Sequence, residues 1–265
     1  MTEQDTFFTR GWVSFPFDSS IAAWARAIAP IAQRAMAQPD AHWRCDGTWF
    51  PGVNILPNDS QGGISKQNVP PLTGVPICFI NNHLGLPKFH WDQGQISACT
   101  PGYPRQGDEE TDAAFRYRMK RDAAHIDGFL RVMPGRRRRF SEGHAFILGI
   151  PLNATPPGAS PFVIWEGSHA VVRRTLRDVY TGTPAQTWSD IDLTDVYQQM
   201  RKQIFDCCPR VEIQAQPGET YVVHRLALHG MAPWTASESV SPRIIAYFRP
   251  DPFPGCSPVW RIEHP

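Results

Sequence analysis

The sequence predicts a mainly β chain, a double-sheet jelly roll with α-helices packed outside it. Three observations carry that prediction. The 26 prolines are about twice the ordinary usage and, with 20 glycines, cut the 265 residues into short segments that suit strands and turns. Between the breaks lie eight runs rich in apolar or β-branched residues, enough for two facing sheets. All-β barrels and sandwiches of this length commonly fold as one unit. The expectation is therefore a single domain over 1–265, with helical and loop elements over 1–92 and the barrel core over about 93–250.

The elements follow in order. "DSSIAAWARAIAPIAQRAMAQ" opens on capping residues and repeats apolar positions at three-to-four spacing, so it predicts an amphipathic helix despite Pro30. From Trp43 to Pro87 the chain is dense in Pro, Gly and Asn and reads as loops and edge strands, "PICFINN" included. "EETDAAFRYRMKRD" predicts a second helix over Glu109–Asp122, and "SDIDLTDVYQQMRKQIF" a third from about Ser189. The strand candidates are "QISAC", "AAHIDGFL", "HAFILGIPL", "PFVIW", "RVEIQA", "TYVVH", "LALHG" and "RIIAYF".

Composition narrows the function classes. With 42% hydrophobic and 19% charged residues the chain can bury a sizeable core, which excludes disorder. A net charge of +1 supplies no global field for nucleic acid or an anionic membrane. The N-terminus lacks a basic region followed by an apolar run, and no stretch approaches the ~20 apolar residues of a membrane span. Six cysteines without CxxC spacing read as reduced thiols, so the expected location is cytoplasmic. Oligomeric state is not legible.

Chemistry concentrates in "AAHIDGFL". His125 and Asp127 stand at i and i+2, which on a strand points both to one face and toward one metal ion. "KFHWDQGQ" offers the same spacing at His90 and Asp92. Two histidines and one carboxylate leave three positions of an octahedral Fe(II) open. The third ligand should come from a distant strand. His229, followed by a small residue that leaves room for approach, fits, with His224 its nearest rival. Arg243 opens the last strand, where a guanidinium could pair bidentately with a carboxylate.

These pieces together resemble the phytanoyl-CoA dioxygenase family of Fe(II)/2-oxoglutarate oxygenases. The resemblance runs through His125-x-Asp127, "WEGSH" about forty residues on, "LHG", the arginine of the last strand, and the opening "RGWVSFPFDSSIAAW". It implies a double-stranded β-helix, a cupin-like barrel, whose iron ligands are His125, Asp127 and His229. Arg243 would hold the distal carboxylate of 2-oxoglutarate, with Arg249, six residues along on the same strand face, as the alternative. It implies an enzyme that uses Fe(II), 2-oxoglutarate and O2 to hydroxylate a small organic molecule, releasing succinate and CO2. The carboxylate at Asp127 favours hydroxylation over halogenation. The resemblance also decides between the two motifs, since "GSH" begins 42 residues after His125 but 77 after His90.

Other readings stand beside this one. A jelly roll that binds metal or ligand without turnover is the chief alternative, and a metal-dependent hydrolase or isomerase a weaker third. The run Arg136 to Arg139 reads first as a solvated basic loop paired with nearby acids, and otherwise as an anion-binding loop for a phosphorylated or CoA-linked substrate. His144 and His169 read as structural or supporting residues, and Trp165 and Trp234 as candidate pocket walls.

Overall fold

A computed structural model describes residues 1–86, 89–133, 135 and 137–264. Helix α1 (Glu3–Arg10) is capped by Thr2, whose hydroxyl accepts the Asp5 N–H, and leads into strand β1 (Trp12–Phe15). Helix α2 (Ser19–Met36) starts where the Asp18 carboxylate accepts the N–H groups of Ser20 and Ile21. Its three-to-four pattern buries Ile21, Trp24, Ile28 and Ile31, as the sequence predicts, with Pro30 accommodated inside the helix. Strand β2 (Trp49–Phe50), helix α3 (Val75–His83) and strand β3 (Gln95–Cys99) follow, then helix α4 (Asp112–Arg121) and the hairpin β4 (Phe129–Val132) and β5 (Arg137–Phe140). The remaining elements are β6 (Phe146–Pro151), β7 (Phe162–Trp165), α5 (Ser168–Tyr180), α6 (Thr194–Cys207), β8 (Arg210–Ile213), β9 (Thr220–His224), β10 (His229–Met231), β11 (Arg243–Phe248) and α7 (Pro258–Glu263).

The strands form a six-stranded sheet in the order β1-β9-β6-β11-β3-β2 and a three-stranded sheet β10-β7-β8, antiparallel throughout. The two face each other. Ile147, Tyr221, Val223, Ile245 and Tyr247 of the larger sheet pack against Phe162, Ile164 and Ile213 of the smaller. The larger sheet's other face is covered by α2 and α3 through Trp24, Ile28, Phe79 and Ile80, and the smaller sheet's by α5 and α6 through Val172, Leu176, Met200 and Ile204. Covered on both sides, β6 reads as an unbroken apolar run rather than an alternating one. Gly149 keeps that run open at one point, because a Cβ there would stand 2.4 Å from the Tyr221 ring. Truncating Trp24, 1% exposed, to Ala should cost about 3–5 kcal/mol.

Helix accounts for 33% of residues and strand for 20%, which corrects the mainly β expectation. The excess comes from helices the sequence does not announce. Helix α5 starts at Gly167, in the left-handed region and without a capping side chain, and its buried face uses the β-branched Val171 and Val172. Helix α3 occupies "VPICFINNH", expected as loop or edge strand, starting after Gly74 with Pro76 in its first turn. Helix α6 begins at Thr194, and the predicted start near Ser189 is instead a 3-10 turn over Ala185–Asp190. The "AAHIDGFL" run is not one strand: a single bridge at His125 precedes β4. Among the described residues no helix is long and apolar enough to cross a membrane.

Candidate metal centre

The His125 segment joins the edge of the smaller sheet by exchanging two backbone hydrogen bonds with His229, at 2.8 and 3.0 Å. Gly230 makes that approach feasible, since a Cβ there would lie 2.2 Å from the Asp122 carbonyl oxygen. Ser168, in the "GSH" motif, accepts the Leu228 N–H at 2.9 Å and so holds the chain just before His229. One strand bridge thus places both imidazoles side by side, with ring centroids 4.5 Å apart.

Donor atoms converge from there. His125 Nε2 lies 3.3 Å and His229 Nε2 3.7 Å from the same oxygen, Asp127 Oδ1. Both Nδ1 atoms face backbone carbonyls, of Ala123 at 3.0 Å and Ala227 at 2.9 Å, an arrangement that fixes each Nε2 as the lone-pair nitrogen. Phe162 stacks on the His229 ring at 5.3 Å. His229 Nε2 is buried and has no hydrogen-bond partner among the described residues. The three ligand atoms lie within 4.8 Å of one another, a group that could hold a metal ion.

The second carboxylate oxygen is engaged elsewhere. Arg249 donates from Nε to Asp127 Oδ2 at 2.8 Å, and His144 Nε2 stands 3.8 Å from the same atom. Arg249 is itself held by Gln95 and, through its backbone N–H, by the Asp92 carboxylate at 2.9 Å. Burial raises the Asp127 carboxyl, but the positive charge of Arg249 beside it outweighs burial and holds the group well below the usual carboxylate range. Burial pushes His229 down to about 3 and His144 down to about 4. The His229 imidazole is therefore neutral, the form that ligates metal.

The site opens on a cavity of about 500 Å³. Trp49, Val53, Tyr103, Leu130 and Phe162 supply apolar walls, and Arg44, Glu142 and Asp251 add charge. Arg243 does not line this cavity but touches it through Met231, whose sulfur accepts from Arg243 Nη2 at 2.7 Å. The guanidinium is buried, and Nε and Nη1 have no partner among the described residues. Two of the remaining predicted roles fall elsewhere. His224 is committed to the Leu226 N–H and to Arg173, and Trp165 and Trp234 lie in core clusters rather than along the cavity. What sequence reasoning missed is the Asp92–Arg249–Asp127 chain. The alternation Arg243, Ile245, Tyr247, Arg249 on one strand face was its visible signal.

No family model and no curated protein matches the chain. Solved structures do. The non-heme alpha ketoglutarate dependent epimerase SnoN from nogalamycin biosynthesis superposes with a TM-score of 0.52 over 94% of this chain and 80% of its own, at 13% identity. The non-heme alpha ketoglutarate dependent carbocyclase SnoK from the same biosynthesis gives 0.51 over 94% and 82%, at 14% identity. This chain shares their fold.

Proposed function

We propose that this chain is an Fe(II)- and 2-oxoglutarate-dependent dioxygenase, similar to the phytanoyl-CoA dioxygenase family, that hydroxylates a small organic molecule with release of succinate and CO2. The observation that carries the reading is the orphaned His229 Nε2, buried beside His125 Nε2 and aimed with it at one oxygen of Asp127. A polar atom buried without a partner is costly unless something else satisfies it, and a divalent metal suits two imidazoles and a carboxylate.

The order of the strands supports a double-stranded β-helix. Along the chain, β3 lies in the larger sheet, the His125 segment in the smaller, β6 in the larger, β7 and β8 in the smaller, and β9, β10 and β11 alternate again. His125 and His229 then sit on the smaller sheet, Asp127 follows in a turn, and all three line the cavity. His125, Asp127 Oδ1 and His229 would hold the iron, which with 2-oxoglutarate and O2 supplies the oxidising power for C–H hydroxylation. Arg249 keeps Oδ2 occupied, so that Asp127 presents a single oxygen to the metal. The apolar walls orient the substrate and exclude water, and the cavity volume suits a small molecule.

Arg243 would bind the distal carboxylate of 2-oxoglutarate in preference to Arg249, because its buried Nε and Nη1 have spare donors whereas Arg249 is engaged by Asp127 and Gln95. Met231, unbranched and flexible, is the residue that must shift to admit it. A jelly-roll protein that only binds metal has no use for such a guanidinium. Anaerobic titration with Fe(II) and 2-oxoglutarate tests the reading through the visible charge-transfer band of the chelate. Arg243→Ala should raise the 2-oxoglutarate dissociation constant roughly a hundredfold and leave iron binding within about threefold. Iron binding without any 2-oxoglutarate-dependent band would leave the non-catalytic alternative standing.

A further inference from the structure

The basic segment after Pro134 is split by its own hairpin into two faces. Arg136 lies outside the described residues. On one face Arg137 and Arg139 meet Asp192 and Asp190 at 3.5 and 3.4 Å, the solvated, acid-paired arrangement expected of a basic loop. On the other face Arg138 stands directly opposite Arg131 in the strand register, and neither has a carboxylate partner among the described residues. Like charges directly opposite on a two-stranded ribbon are destabilising.

Helix α6 adds to the imbalance. Arg138 and Arg201 both lie against the Tyr197 ring, 4.2 and 4.8 Å from its centroid, and Arg121 lies 4.4 Å from that of Phe205. Arg201 Nε is buried without a partner among the described residues. With the exposed Lys202, these residues line a pocket of about 450 Å³ whose described lining holds five cations and one acid, Asp206. Burial lowers Arg138 first, and the charges of Arg131 and Arg201 lower it further, so the groups repel one another in place. The pocket is separate from the metal-side cavity: on β4, Leu130 lines the cavity and Arg131 this pocket.

We propose that this pocket binds a small phosphate-bearing anion. Five positive charges around one concavity exceed what the single carboxylate of Asp206 neutralises, and guanidinium groups match phosphoryl oxygens. Ring stacking, with Arg138 Nη1 donating to the Phe129 carbonyl and Arg201 Nη1 to the Tyr117 hydroxyl, fixes two of the guanidinium groups, so little ordering is required when the anion meets their remaining N–H groups.

Isothermal titration of the full chain with inorganic pyrophosphate, and separately with inorganic phosphate, in metal-free buffer at ionic strength fixed with chloride, tests this. Pyrophosphate is expected to bind and raise Tm. The double variant Arg131→Ser/Lys202→Ala, both exposed positions, should weaken binding by at least about tenfold, while Arg137→Ser on the acid-paired face stays within about twofold. Arg243→Ala serves as a second control, and Tm in chloride alone establishes that each variant is folded. The proposal is overturned if pyrophosphate does no more than chloride, if the double variant binds as wild type does, or if Arg137→Ser or Arg243→Ala abolishes binding equally. Attachment to phosphatidylserine vesicles without a response to free pyrophosphate would overturn it in favour of a membrane surface.

Discussion

Two stretches of this chain spell the same chemistry and come to different ends. His125-x-Asp127 and His90-x-Asp92 have identical spacing, yet the first meets His229 across a strand bridge and the second meets no third ligand among the described residues. His90 is exposed and borders a separate pocket, while the Asp92 carboxylate turns to the Arg249 N–H. The pair at 90 is nonetheless joined to the pair at 125, because the Arg249 guanidinium carries on to Asp127. A two-residue motif becomes a candidate ligand site only where the fold delivers its partner. Otherwise the same residues become support.

The sharpest way to break that contrast is to remove a donor from each motif. His125→Ala or His229→Ala should weaken Fe(II) binding more than about a hundredfold, beyond what residues that only orient a ligand contribute, as read by anaerobic metal titration. Next in size is Arg249→Leu, which frees Asp127 Oδ2 and should cost roughly 10–100-fold in iron affinity. The Asp92 contact acts one step further back. Asp92→Ala should cost about threefold, and Asp92→Asn, which keeps an oxygen for the Arg249 N–H, should restore it. His90→Ala should change nothing measurable, and a loss matching that of His125→Ala would sink the assignment.

The two aspartates also titrate in opposite senses. Asp127 is held low, so the stability it contributes is present above the unfolded carboxylate range and lost as pH falls. Burial pushes Asp92 up to about 6, from the 3.8 of a free carboxyl, despite the Arg249 contacts that lower it. Between those values the folded chain holds a proton that the unfolded chain has released. The contribution of Asp92 is therefore full below about 3.8 and lost as pH rises through 6. In metal-free protein, urea unfolding at pH 4 and pH 7 should show Asp92→Asn gaining about 2 kcal/mol relative to wild type over that interval. A gain of the opposite sign would place Asp92 in a charged, stabilising pair.

Much of this was legible in local chemistry. Period-3.6 burial marked α2, and apolar runs marked β3, β6, β7, β9 and β11. The candidate triad was legible in residue type and spacing, although the strand expected to align His125 and Asp127 is a single bridge at His125 followed by a turn at Asp127. Helix α5 escaped, since its start depends on Gly167 rather than a capping side chain and its β-branched face mimics a strand.

By itself the sequence determined the donor types, their order and the segments able to pair. Only the tertiary structure decided which His-x-Asp would have a third partner, that Arg249 would spend its guanidinium on Asp127 while Arg243 kept spare donors, and which face of the basic hairpin would find its aspartates. The reason is physical. Periodicity and capping act over a few residues, whereas the candidate ligand set needs His125 and His229 bridged across the smaller sheet and the charge cluster needs the β4–β5 hairpin packed on α6.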